Sequence, residues 1–180
     1  MSAKPRFRVL LYGFVPFGKY RTNVSEQSIR LLPKMAGVRA VVLPVRFDRA
    51  QFLREIAQFQ PTHILGLGQC PRGRKIRVEH RAVNTMKDVA ASARPIDRRS
   101  PPAVVLAWKI PLSPMMRASR NAGTYVCNYS MYVIARAAER SGAVSAFLHI
   151  PARVDPKLAV KEILRIISQQ KGTSIGRKLH

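Results

Sequence analysis

Acid is what this chain has least of. Nine Asp and Glu stand against 32 Lys and Arg, a formal charge of +23 on 180 residues. A surplus of that size points toward polyanions. The basic residues are scattered, however, and the densest stretches are only Arg72-Gly73-Arg74-Lys75 and Arg98-Arg99. No nucleic-acid-binding motif accompanies them. The composition therefore predicts nonspecific, salt-sensitive polyanion binding rather than a reading head. Cysteine is equally scarce: Cys70 and Cys127 alone make no disulfide framework, which predicts a reducing, cytoplasmic setting. The four histidines, at 63, 80, 149 and 180, keep no metal-ligand spacing, so no metal is expected. No apolar run reaches the roughly 18 residues of a membrane span. The charged start, Met1-Ser2-Ala3-Lys4-Pro5-Arg6, lacks the apolar stretch of a secretory signal. No internal repeat is visible.

What is present alternates. Phe7–Tyr12 reads as a buried strand running into Gly13-Phe14-Val15-Pro16-Phe17-Gly18. Asn23 or Ser25 is placed to cap a helix through Met35. Val38–Val45 reads as a strand, Asp48–Gln58 as an amphipathic helix ended by Pro61, and His63–Leu67 as a third strand. This alternation predicts an α/β fold, a three-layer α/β/α sandwich around a largely parallel, mixed and twisted sheet. Gly66-Leu67-Gly68-Gln69-Cys70-Pro71-Arg72-Gly73 is expected to be a loop at a strand's C-terminal end, where open α/β sheets bind ligands; it lacks the lysine and hydroxyl of a phosphate loop. Ile76–Asn84 alternates as one strand. Residues 85–120 carry five prolines, which predicts a long loop with one short apolar piece, Ala103–Trp108. A last helix is expected from Asp155-Pro156 to about Gln169. Residues 1–170 read as one domain, with 171–180 a basic, disordered tail.

The chemistry gathers at Asn121-Ala122-Gly123-Thr124-Tyr125-Val126-Cys127-Asn128. A turn glycine leads into a cysteine, and Met131, Ile134, Ala135 and Ala138 follow at helical spacing up to Gly142. A thiol in a first helical turn meets the positive end of the dipole, which favours thiolate. The free N–H groups there can hold an oxyanion. His149 ends the apolar run Ala146-Phe147-Leu148. Thiol and imidazole together are the parts of a nucleophilic pair, although a cysteine at a helix start also serves as a small core residue. Glu79 has two readings as well: a surface ion pair among cations, or the acid that orients a histidine.

Taken in order, these stretches resemble the pyroglutamyl peptidase I family. They are Gly13–Gly18 with Asn23, Val42-Leu43-Pro44-Val45, Glu79 with Ala82-Val83-Asn84, Ala122–Asn128 with Met131-Tyr132, and His149-Ile150-Pro151. The resemblance implies a cysteine peptidase that removes N-terminal pyroglutamate from peptides through a thioester, without a cofactor. It makes Cys127 the nucleophile, His149 the base and Glu79 its orienting acid. It also implies that Phe14 and Phe17 sandwich the lactam ring, with Asn23 nearby and the Gly68-Gln69 region at the ring amide, and that the chain forms homo-oligomers. The family's Asp-x-Arg-Ile-Pro-Asp-Asn stretch is replaced here by Thr85–Ala91, with Arg94-Pro95-Ile96-Asp97 a displaced echo. Two alternatives stay open: an altered homologue acting on another small acyl or lactam substrate, and a basic polyanion-binding protein with a vestigial triad.

Overall fold

A computed structural model of the chain describes residues 7–176, with side chains to residue 171. β1 (Val9–Phe14), α1 (Val24–Leu31), β2 (Val38–Leu43), α2 (Arg49–Phe59) and β3 (His63–Cys70) alternate as the sequence predicts. β4 (Ile76–Glu79), β5 (Arg81–Val83), β6 (Ala103–Val105) and β7 (Met116–Ser119) follow, then α3 (Val126–Ser141), β8 (Val144–Pro151) and α4 (Pro156–Gly176). The main sheet has the order β2-β1-β3-β8-β4-β7, and all its pairs are parallel except β4 with β8. β5 and β6 form a separate antiparallel pair. The result is the predicted α/β/α arrangement around a mixed, mostly parallel sheet.

Each face of the sheet owns one core. Leu65, Leu67, Leu148 and Ile150 pack with Ile29 of α1 and Ile163 of α4. On the other face Leu10, Tyr12, Ile64 and Phe147 pack with Phe52 of α2 and Tyr132 of α3. β3 is buried along both faces, and for that reason its first half, Ile64–Leu67, carries no polar residue.

Caps set the helix limits. Asn23 begins α1 by accepting from the Ser25 N–H at 2.9 Å. That helix stops at Leu31 rather than Met35, because Leu32 is extended, as the residue before Pro33 is biased to be. Asp48 caps α2, which ends at left-handed Gln60 before Pro61. Gly142, at φ 71°, closes α3 in the left-handed conformation. Asp155 accepts from the Lys157 N–H at the start of α4. That helix continues to Gly176, past the predicted end near Gln169, so residues 171–176 are helical. The rest of the expected disordered tail, 177–180, lies outside the described residues.

Two expectations are corrected. Gly66–Cys70 is not a loop but the second half of β3; a central strand flanked by β8 tolerates glycine where a neighbour needs the space. Ile76–Asn84 is not one strand. The chain changes sheets at His80, whose N–H donates to Ser119 O while its carbonyl accepts from Leu106 N. β7 escaped the sequence reading because only Met116 of its four residues is buried, which leaves no alternation to see.

Gly66 is the tightest of these positions. A Cβ there would overlap the Phe147 and Tyr12 rings. Gly66→Ala should destabilise the fold by about 3 kcal/mol, the upper range for overpacking. Urea denaturation checks this, and a shift near zero would show that the two rings can move aside.

Candidate active site

The site is built on the sheet face that meets α3. On β8, Phe147 and His149 point there; on β3, Gly66 and Gly68 do; on β4, Arg77 and Glu79 do, while Val78 faces the opposite core. β8 and β3 pair Gly68 with His149, and α3 lays the Cys127 sulfur directly over Gly68, 2.7 Å from where a Cβ would stand. Neighbouring strands run about 4.8 Å apart, so the thiol and the imidazole occupy adjoining places. The structure therefore brings Cys127, His149 and Glu79 together.

Glu79 is 1% exposed, which removes the surface ion-pair reading. Its Oε1 lies 2.8 Å from His149 Nδ1, with both side chains buried. Arg77, the register partner of His149 across the antiparallel pair, brings its Nε to 3.5 Å from the same oxygen. Burial alone would push the Glu79 carboxyl up. The hydrogen bond to His149, the neighbouring Ser119 hydroxyl and the charges of His149 and Arg77 outweigh it, so the group lies below its ordinary value. The imidazole is thus fixed through Nδ1, which leaves Nε2 to exchange protons. The Phe147 ring meets it edge-on at 5.0 Å.

Cys127 departs from the sequence expectation. Part of the residue is open to solvent, but its sulfur is enclosed against Gly68. Burial pushes its thiol up to about 12, with Cys70 and Glu79 adding to the shift and Arg77 opposing it. Desolvation thus works against the helix dipole and favours the neutral thiol. Tyr125, the N-cap of α3, makes no side-chain cap, so no capping side chain claims the N–H groups of the first turn, the turn that carries Cys127. The second thiol, Cys70, is buried and donates to Arg72 O at 3.5 Å; burial raises it too.

The four proposed ligand-binding residues differ in placement. Phe14 is buried, with its ring 5.8 Å from Tyr12 and 6.4 Å from Phe52. Phe17 is partly exposed and lies near Tyr20 and Tyr125, at 5.8 and 6.2 Å between centroids. Asn23 is buried and works within the protein, capping α1 and donating to Val15 O at 3.1 Å. Gln69 Oε1 accepts from the Val24 N–H at 2.9 Å, whereas its Nε2 is buried with no hydrogen-bond partner.

Two supporting residues were missed by sequence reasoning. Asn128 is wholly buried and binds the β5 backbone from both ends: Oδ1 accepts from Val83 N, and Nδ2 donates to Val83 O and Thr85 O. It holds the first turn of α3, next to Cys127, against β5. Tyr125 joins Phe17 and Phe47 in an aromatic group beside the thiol. Asparagine next to cysteine was the available signal for the first. Residues 84–97, where the family stretch is replaced, fold back on themselves: Met86 bridges Arg94, and Asn84 exchanges two hydrogen bonds with the Asp97 backbone. Among the described residues no group of three His, Cys, Asp or Glu is placed to hold a metal, and no helix is long and apolar enough to cross a membrane.

The chain is similar to known proteins along most of its length. The family model described as pyroglutamyl peptidase matches residues 7–168. A pyrrolidone-carboxylate peptidase of Thermococcus onnurineus is 30% identical over 168 residues, covering 80% of this chain and 83% of its own. One from Saccharolobus islandicus is 29% identical over 164 residues, covering 79% and 78%. Among solved structures, the pyrrolidone carboxyl peptidase from Thermococcus litoralis matches with a TM-score of 0.79 at 21% identity, covering 93% of this chain and 96% of that one. Pyroglutamyl peptidase I from Bacillus amyloliquefaciens matches at 0.78 and 23%, covering 90% and 93%. At such identities the structural likeness speaks for the fold.

Two expectations follow from the electrostatics. Alkylation of Cys127 in the free protein by a small neutral reagent should be slow at neutral pH and climb steadily through pH 10, since burial pushes its thiol well above the ordinary cysteine value. A rate already flat between about pH 6 and 8 would instead show a standing thiolate. Glu79 has a lowered value in the fold, so the stability it supplies is present above its unfolded value and is lost as pH falls through the folded one. Glu79→Gln should therefore flatten the acid limb of a plot of stability against pH; an unchanged limb would mean that other carboxyls govern it.

Proposed function

The chain belongs to the pyroglutamyl peptidase family, and from that premise we propose that Cys127, His149 and Glu79 are a catalytic triad that removes N-terminal pyroglutamate through a thioester. The observation that carries this reading is the buried 2.8 Å contact between Glu79 and His149, made one strand away from the Gly68 hollow that holds the Cys127 sulfur. A buried carboxylate in a chain so poor in acid is a costly group to place by accident.

Because the thiol rests neutral, the reaction begins with proton transfer. His149 takes the proton from Cys127 as the sulfur attacks the acyl carbon of the pyroglutamyl residue, and Glu79 stabilises the imidazolium that forms. The uncapped N–H groups at the start of α3 receive the oxyanion. His149 then gives its proton to the departing peptide nitrogen, and the C–N bond breaks to leave the thioester. Water, deprotonated by the same imidazole, attacks the thioester; pyroglutamate leaves and the thiol takes back its proton.

A neutral, flat lactam calls for an aromatic wall and a few placed donors. Phe17, with Tyr125 beside it, supplies the wall, and Phe14 supports it from the core. Asn23 shapes the slot by holding the Val15 carbonyl. Gln69 Nε2, a buried donor without a partner, is the group free to bind the lactam carbonyl.

Release of a fluorescent arylamine from its pyroglutamyl conjugate tests the assignment. Cys127→Ala should abolish turnover, and Glu79→Gln should lower kcat by about a hundredfold or more. Cys70→Ala should leave the rate close to wild type. Turnover of the neutral conjugate should tolerate salt. A fully active Cys127→Ala protein, or a Glu79→Gln protein of unchanged kcat, would refute the triad.

A further inference from the structure

A second feature lies just past the reaction centre. β3 and β8 pair as far as Cys70 with Pro151, two residues beyond Gly68 with His149, and the loops that leave them face one another across a cavity of about 710 Å³. Arg72 and Arg74 line it from the β3 side and Arg153 from the β8 side; Val154 and Leu158 give it an apolar floor. None of the three guanidinium groups has an ion-pair or hydrogen-bond partner among the described residues. The one acid in the lining, Asp155, is engaged in capping α4. The loops are tied together at their base, where Ala152 N donates to Cys70 O at 2.9 Å, so the three arginines converge from two strand ends held in register.

Three uncompensated cations around one concavity focus a positive potential there. The cavity is the size of a small-ligand site. The Cys70–Pro151 level lies about 7 Å along the strands from the Gly68–His149 level. The floor residues Val154 and Leu158 belong to the core on the other face of the sheet, so a peptide reaches the cavity round the strand ends in about three to four extended residues. A peptide leaving the thiol toward the strand ends therefore enters the cavity with its third or fourth residue.

We propose that this cavity binds acidic side chains of the peptide that follows the pyroglutamyl residue, so that the chain prefers substrates with Asp or Glu shortly after the scissile bond. The inference rests on the reaction assigned above. Arginine suits the role because its planar fork pairs with carboxylate through two parallel hydrogen bonds. The scattered remainder of the positive charge draws such peptides in at long range, and the three arginines fix where they settle.

The test compares three substrates on the full chain: a pyroglutamyl peptide continuing Glu-Asp-Glu, one continuing Gln-Asn-Gln, and a pyroglutamyl arylamide. At low salt the acidic peptide should exceed the neutral one about tenfold in kcat/KM, falling to about twofold near 0.5 M salt as exposed pairs are screened. In the combined variant Arg72→Gln, Arg74→Gln, Arg153→Gln, the ratio of acidic-peptide to arylamide kcat/KM should fall to that of the neutral peptide, through KM. Equal kcat/KM for the two peptides while the arylamide is hydrolysed overturns the proposal and leaves the reaction assignment standing. Failure to hydrolyse the arylamide defeats the reaction assignment instead. The cavity is then judged by fluorescence anisotropy of the labelled acidic peptide: affinity lost in the triple variant supports it, and equal affinity overturns it. A single-stranded oligonucleotide of equal charge that binds as tightly, with the same dependence on the arginines, overturns the assignment to peptide.

Discussion

The missing side chains at Gly66 and Gly68 set the distance between α3 and the sheet, and the rest of the site is arranged around that distance. With no Cβ at either position, the Phe147 and Tyr12 rings fill the space over the first and the Cys127 sulfur settles over the second. A side chain at Gly68 would meet the Cys127 sulfur itself and displace the thiol from its place beside His149. The close approach also encloses the sulfur, which makes it a poor acid. Proximity and neutrality of the thiol are thus two results of one packing decision, and they set the need for a histidine held ready to accept a proton.

The orienting acid shows how a basic chain accommodates a buried carboxylate. Glu79 sits at the end of β4, the strand that runs against β8, and this antiparallel step places it diagonally across from His149. Three supports come from separate elements: His149 from β8, Ser119 from β7, and Arg77 from two residues back on β4. β7 is short and mostly exposed, yet it gives the carboxylate its third polar neighbour and holds the chain's turn at His80.

Much of this was legible in the sequence because it rests on local signals. The strand–helix alternation, a cap at Asn23 or Ser25, the helix start at Asp48, the Gly142 stop and the helix opening at Cys127 all follow from patterns within a few residues. The site residues stood out by chemical type: two thiols, few acids, and a histidine ending an apolar run. What could not be read is what depends on distant contacts. A strand whose glycines exist to receive α3 looks like a glycine loop. A strand that changes sheets midway keeps a single alternation through the change. Reading the thiol as thiolate weighed the helix dipole, which is local, without the enclosure by β3, which is not. Phe14 and Phe17 look equivalent in Gly13-Phe14-Val15-Pro16-Phe17-Gly18; only the sheet shows that one ring is core and the other is half in solvent.

The pinning of the segment between β5 and β6 has a mechanical consequence. Asn84 binds the backbone of Asp97 and Ser100, and Asn128 binds Val83 and Thr85, so the residues between are enclosed by a closed collar of hydrogen bonds. The segment inside that collar still reaches the site at one point, where Lys87 N donates to Thr124 O just ahead of α3, while Met86 and Ile96 pack on the core beneath that helix. A change of sequence there is therefore transmitted to the cysteine through one backbone hydrogen bond and two core side chains, while the collar holds the ends of the segment in place.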